Sequence, residues 1–393
     1  MTLREVEITG FRSLRSVRWL PGPLNMLIGP NGSGKSNLLR GLITLRASAL
    51  GELPSMVLSQ GGIGPLLWDG KAPELGWKIK LDGIANLRDA LTYELHLVRI
   101  GQSSSYRVSR ELLGNYRKVE QGIEEQPFKF LERGSGHAVI FDSENRRLQA
   151  TQESIPEDQT LLALSASPFT NDVLRQFRDI LASWKIYHDM HVDSLAAVRR
   201  ATVARRESTL SADGQNLVVV LHTLYTSDRD FKETLDQAMA AAFGTDYEEL
   251  VFPPAADQEI QLRIRWKSLR TEQSAADLSD GTLRFLMLIA ALATPQAGAL
   301  IAIDEPETGL HPSMLPIVAE LAAEASVKAQ VVITTHSPDL LDAFTQYAPT
   351  TTVLQWESGS TSVRTLEGDK LKAWIAEYRL GALFRSGELE VIG

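Results

Sequence analysis

The chain contains no cysteine in 393 residues, which excludes disulfides and thiolate zinc sites and agrees with a reducing compartment. No apolar run approaches the roughly 20 residues that a membrane-spanning helix needs. Met1-Thr2-Leu3-Arg4-Glu5 lacks the basic and apolar parts of a secretory leader, so a cytoplasmic protein with no membrane partner is the expectation. Positive charge is also short. Lys and Arg number 40 against 49 Asp and Glu, for a net charge of −9, so a generally basic nucleic-acid coat is excluded and any DNA contact must be a local patch. There is no internal repeat, no low-complexity tract and no heptad run long enough for an extended coiled coil. The hydrophobic share, 44%, is ordinary for a globular protein, and the length suits two or three lobes.

Against these absences one stretch stands out. Gly29-Pro30-Asn31-Gly32-Ser33-Gly34-Lys35-Ser36 matches the glycine-rich phosphate loop in full and predicts a bound nucleotide. Glycines let backbone N–H groups turn in around the β- and γ-phosphates, Lys35 adds a positive charge, and the Ser36 hydroxyl can ligate Mg²⁺. Leu24–Ile28 reads as a buried strand entering the loop, and a helix from about Ser36 to Ala47 points its positive end at the anion.

Around the loop the texture changes by region. Residues 3–28 read as strands, with Gly10-Phe11-Arg12-Ser13-Leu14 as a turn. Between Trp77 and Ala150 alternation predicts antiparallel strands, for example Tyr93–Ile100 and Tyr106–Ser109. From about Ser154 to Phe243 the period becomes helical: Val173, Leu174, Phe177, Ile180 and Leu181 fall on one face, and Leu217, Val220, Leu221 and Leu224 on another. Strands return at Tyr247–Phe252 and Gln258–Trp266, and after Leu278 helix and strand alternate as in a parallel sheet covered by helices. The expected organisation is an α/β protein with a first ATPase lobe over residues 1–155, a helical insert over 156–249 and a second lobe over 250–393.

Three segments of the second lobe carry chemistry. Ala299–Glu305 is an apolar strand ending in two carboxylates: Asp304 can hold Mg²⁺ through water, and Glu305 can orient and deprotonate the water that attacks a γ-phosphate. Leu278-Ser279-Asp280-Gly281-Thr282 opens an apolar helix, where Ser279 or Asp280 also suits a simple helix cap. Val331–Pro338 is a strand that ends in Thr334-Thr335-His336-Ser337-Pro338.

In this order the segments resemble the ATP-binding-cassette class of ATPase heads, and within it the soluble branch of RecF, SMC-type and OLD-family proteins. The resemblance rests on Ile8–Leu14, the phosphate loop, Leu278–Thr282 as signature, Asp304-Glu305-Pro306-Glu307-Thr308-Gly309-Leu310-His311-Pro312, and Thr335–Pro338. It implies ATP and Mg²⁺ as cofactors. Asn31, Gly32, Ser33, Gly34, Lys35 and Ser36 would bind phosphate, Arg12 would reach a phosphate, and Asp304 with Ser36 and Gln60 would serve the metal. Glu305 would be the base and His336 the γ-phosphate sensor, while Ser279 and Gly281 would act on nucleotide held by a second copy. Asp280 departs from the glycine, and Thr282 from the glutamine, of many cassette signatures.

The resemblance further implies an ATP-dependent homodimer acting in DNA repair, genome maintenance or anti-phage defence. A slowly hydrolysing scaffold for a separate effector protein is an alternative, as is a transporter subunit, which the acidic motif disfavours. The 57 residues after His336 (393 − 336) are short for a nuclease domain, so none is expected in this chain. Arg199, Arg200, Arg205 and Arg206 form the best candidate DNA patch, with a solvated face as the plain alternative. Leu371–Phe384 reads as an amphipathic helix and turn.

Overall fold

Alternation between Thr2 and Ala150 builds one antiparallel sheet of eight strands in the computed structural model. It describes residues 2–387 apart from 85–86, 88, 117, 120–121, 124–126, 135–136, 143–145, 151–154, 165–170, 297 and 367–378. The chain divides into two units, each drawn from three segments: residues 1–22, 28–184 and 352–365 form the first, and 23–27, 185–351 and 366–393 the second.

In the first unit the strand order is Arg147–Ala150, His137–Asp142, Phe128–Gly134, Tyr106–Asn115, Leu91–Arg99, Glu74–Asp82, Thr2–Phe11, Leu14–Trp19. The register lines up Val6, Ile79, Tyr93, Leu113 and Leu131 across five strands. All five are fully buried, because strands of period two place every cross-strand row on one face. The helix Lys35–Leu50 lies close over this unit's core: a Cβ on Gly41 would come within 2.5 Å of Ile8 Cδ1. The helix Asp172–Ala182 begins at Asn171, whose side chain accepts from the amides of Val173 and Leu174, and it buries Leu174, Phe177, Ile180 and Leu181 of the expected face, while Val173 in its first turn is only half-buried. Phe177 packs on Tyr93 with ring centroids 5.4 Å apart.

The second unit is organised on parallel strands. Lys185–Tyr187 pairs parallel with Leu300–Asp304, which pairs parallel with Gln330–Thr335. Asn25, from the strand Leu24–Ile28, donates to the Val331 carbonyl at 3.0 Å. The central strands are buried almost throughout, as strands with both faces covered must be. Helices Leu217–Ser227, Arg229–Phe243, Asp280–Leu292 and Leu315–Ala325 belong to this unit. So does an antiparallel group of Tyr247–Val251, Arg263–Trp266 and Gln273–Ser274.

The helical texture expected over residues 154–243 is interrupted. Lys185–Tyr187 is a strand, and the stretch to Asn216 carries only a short 3-10 turn at Ala197–Arg199 and the strand Thr202–Val203. A three-residue strand has too few positions to show a period of two, and it is fixed by its neighbour's ladder. Of the tail, Leu371–Tyr378 lies outside the described residues. Leu380–Arg385 is a helix whose Gly381 amide donates to Asp342 at 2.8 Å and whose Arg385 pairs with Asp342 at 3.1 Å. Among the described residues no helix is long and apolar enough to cross a membrane.

Candidate functional site

The phosphate loop belongs to the first unit. Gly29, Gly32 and Gly34 all take positive φ, at 149°, 80° and 104°, a conformation that costs a side-chain-bearing residue but not glycine. Two of them also lack room. A Cβ on Gly29 would sit 2.1 Å from the Leu354 carbonyl, and one on Gly34 would sit 2.2 Å from Thr361 Oγ1. Thr361 is tied to the turn before the loop, since its amide donates to the Ser13 carbonyl and its hydroxyl to Ser13 Oγ, both at 2.8 Å. Asn37 donates to the same Ser13 hydroxyl at 2.8 Å. Ser13 lies in the turn that the sequence singles out, but its pairing with Thr361 is not readable there: no local pattern announces a partner 348 residues away.

The residues fit a bound triphosphate. The helix Lys35–Leu50 starts at Gly34 with no side-chain cap, so its first N–H groups and its positive end are left for an anion. Ser33 Oγ is buried without a hydrogen-bond partner among the described residues. The Lys35 ammonium donates to the carbonyls of Gly29 and Pro30 at 2.8 and 3.2 Å, which holds its charge against the loop. Asn31 and Gly32 are exposed at the loop's crest, and Ser36 is half-buried on the first turn of the helix. Arg12, itself in a left-handed conformation at φ 52°, donates to Gln60 Oε1 at 2.5 Å. The two residues assigned separately to phosphate and metal are therefore partners. Burial, and secondarily the charge of Arg40, lower the Arg12 pKa; a phosphate there would relieve both penalties.

The acidic and switch residues belong to the second unit. Thr334, fully buried at the end of its strand, donates its hydroxyl to Asp304 Oδ1 and accepts from the Glu305 amide at 3.0 Å. One side chain thus holds the Asp304 carboxylate and the Glu305 backbone. Glu305 has φ 47°, an uncommon conformation for a non-glycine residue that persists only where neighbours fix it. Its carboxylate meets His336 Nδ1 at 3.1 Å. Glu307 accepts from the Thr335 hydroxyl at 2.5 Å and from the His336 amide at 3.4 Å. Burial raises the Glu307 pKa, and its Oε2 is buried with no partner among the described residues.

Asp304 has a further contact that sequence reasoning missed: His188 Nδ1 lies 2.7 Å from its Oδ2. His188 follows the short strand Lys185–Tyr187. A cavity of about 200 Å³ beside these residues is lined by His188, Arg284, Asp304, Glu305 and Thr308 among others. Among the described residues no group of three or more His, Asp or Glu is placed to hold a metal. Mg²⁺ bound with nucleotide typically needs only one or two protein oxygens besides substrate phosphates and water, and Asp304 and Ser36 have the right donor chemistry.

The signature segment, also in the second unit, is both a cap and an outward-facing group. Ser279 is exposed and accepts from the Thr282 amide at 3.1 Å as N-cap of the helix Asp280–Leu292. Gly281 is needed for packing: a Cβ there would stand 2.6 Å from the Gly309 carbonyl, so only glycine lets the helix start this close to the loop after Glu305. The arginine run is split. Arg199 is turned inward onto the signature segment, Arg205 pairs with Glu207, and Arg200 and Arg206 are exposed.

Comparison with known proteins gives the same architecture. Residues 24–342 match the family model described as "AAA domain, putative AbiEii toxin, Type IV TA system". A curated relative, the OLD nuclease of Thermus scotoductus, is 22% identical over 346 residues; the match covers 86% of this chain and 60% of that protein's length. Among solved structures, an Smc head bound to the C-terminal winged-helix domain of ScpA aligns with TM-score 0.59 at 14% identity, over 95% of this chain and all of the other. The Pyrococcus furiosus Smc head with an extended coiled coil, bound to the C-terminal domain of ScpA, aligns with TM-score 0.55 at 13% identity, over 96% and 99%. The fold is thus that of an SMC-type ATPase head.

Proposed function

The chain belongs to this AAA-domain family, and so to the P-loop ATPases of the ABC type, and we propose that it is an ATP-driven dimeric switch working in DNA repair, genome maintenance or anti-phage defence. The observation that carries this reading is the acid pair: Thr334 holds the Asp304 carboxylate and the Glu305 backbone, and His336 stands 3.1 Å from the Glu305 carboxylate. Mg²⁺ would be held through oxygens of the kind that Ser36 and Asp304 carry, and would supply positive charge to the transferring phosphate. Lys35 and the helix N-terminus after Gly34 bind and orient the phosphates. Glu305 takes the proton of a water whose oxygen forms the new bond to γ-phosphorus as the bond to the ADP oxygen breaks. His336, hydrogen-bonded to that carboxylate through Nδ1, fixes its direction, and moving that N–H from Glu305 to the γ-phosphate is how it would sense ATP.

Ser279 lies exposed at the start of its helix, where its hydroxyl and the helix end offer donors to a terminal phosphate bound by a second copy. ATP, and not ADP, would then bridge two chains. The likeness to an OLD nuclease and to Smc heads supports a role on DNA or toward a separate effector. The test is steady-state ATPase with two variants. Lys35→Ala should weaken nucleotide binding, whereas Glu305→Gln should keep binding, lose turnover, and accumulate dimer with ATP but not ADP in light scattering. Wild-type ATPase rates in both variants would sink the catalytic assignment, and a Glu305→Gln protein that never associates with ATP would sink the dimer.

A further inference from the structure

Arg199 is a surface arginine by sequence and an interior one by structure, with its side chain only 10% exposed. Its Nε donates to the carbonyls of Val192 and Asp193 at 2.9 and 3.1 Å. Its Nη1 donates to those of Leu278, Ala276 and Ala275 at 2.7, 3.2 and 3.3 Å. Its Nη2 pairs with Asp280. Leu278 precedes Ser279 and Asp280 follows it, so one guanidinium holds the chain on both sides of the signature serine.

Such a fork is rigid, and only arginine has five donors fixed in a plane. A charge engaged on all three nitrogens and this little exposed is poorly placed for a phosphate backbone. The turn that carries it is anchored as well. Val198 is fully buried, the Ala197 amide donates to Gln215 at 2.7 Å, and Gln215 donates to the His191 carbonyl at 2.8 Å. Eleven residues upstream (199 − 188), the same stretch begins with His188 on Asp304.

We propose that Arg199 is a positioning residue for the signature, and that the strap His188–Arg199 links the direction of Ser279 to the acidic end of the Leu300–Asp304 strand within one chain. This also accounts for Asp280 where many cassette signatures have glycine: the carboxylate is the second arm of the clamp. The proposal rests on the reading that Ser279 acts on nucleotide held by a partner. If so, Arg199 serves the partner's nucleotide and not its own.

Complementation between inactive variants separates the two cases. Arg199→Ala alone should bind a fluorescent ATP analogue within about twofold of wild type, yet hydrolyse ATP about tenfold or more slowly, a loss in kcat and not in KM. Arg199→Lys should recover only part of the rate, because a point charge cannot reproduce the fork. Mixed in equal amounts with Lys35→Ala, which keeps an intact signature, Arg199→Ala should regain about a quarter of wild-type activity, since half the dimers then hold one competent site. The regained activity also shows that the variant folds. The control is the same mixture made with Ser279→Ala. Restoration in the control but not with Arg199→Ala overturns the positioning role while the two-chain reading stands. Failure of both mixtures overturns the two-chain reading and this proposal with it. Wild-type kcat in Arg199→Ala alone overturns the proposal directly.

Discussion

His188 and Asp304 meet at the ends of neighbouring parallel strands, with Nδ1 2.7 Å from Oδ2. With Thr334 on the other oxygen, the carboxylate is gripped from both sides and its plane is set. Groups that orient a metal-holding carboxylate commonly matter about tenfold or more to activity. His188→Ala should therefore lower kcat by about tenfold and raise the Mg²⁺ concentration needed for half-maximal ATPase, with nucleotide affinity in the absence of Mg²⁺ unchanged. A Mg²⁺ titration of ATPase rate reads both. An unchanged titration curve would mean that the contact has no part in catalysis.

Gly281 and the Gly309 carbonyl are close enough that a methyl group between them forces backbone to move. Gly281→Ala should shift the start of the signature helix and cut turnover by about tenfold, because a displacement of a fraction of an ångström misplaces donors that act only in the closed state. Nucleotide binding to the phosphate loop should be retained. Equilibrium binding and steady-state rates on one preparation settle it, and a normal rate would show that the loop yields freely.

Arg200, Arg205 and Arg206 remain as exposed candidates for a phosphate backbone. Replacing all three by Ala should weaken duplex binding and flatten its salt dependence by about three counterions' worth of slope. Binding measured from low to high salt decides. If the slope of the variant equals that of wild type, these arginines are a solvated face.

Glu5 supplies a pH prediction away from the catalytic groups. Burial alone would raise its pKa, but Lys80 at 2.6 Å and Arg18 overrule it and hold the carboxyl down at about 2. A folded-state pKa below the unfolded one means that the stabilisation is present above the usual carboxylate range and is lost as pH falls toward 2. Denaturant unfolding should accordingly show a fall in stability between about pH 5 and 2 that Glu5→Gln reduces. At neutral pH that variant should be less stable than wild type, but modestly, because Lys80 and Arg18 are exposed enough for water to take the place of the lost carboxylate. Identical pH profiles for variant and wild type would remove Glu5 from the account.

Elements whose geometry is local can be read directly along the chain. Gly29–Ser36 specifies a loop because its glycines permit positive φ and its lysine and serine sit on the first helical turn. The strand before it falls at Leu24–Ile28 and the carboxylates end the strand Leu300–Asp304, since contiguous apolar runs and their breaks are written in order along the chain. The antiparallel texture of residues 77–150 and the buried face of Asp172–Ala182 were legible for the same reason. Which distant side chains share a task follows from packing. His188 and Asp304 are 116 residues apart, Arg199 and Asp280 are 81, and Ser13 and Thr361 are 348. A run of arginines looks the same in sequence whether its members face water or clamp a neighbouring loop; burial and the carbonyls that receive the guanidinium distinguish them, and those are properties of the packed chain.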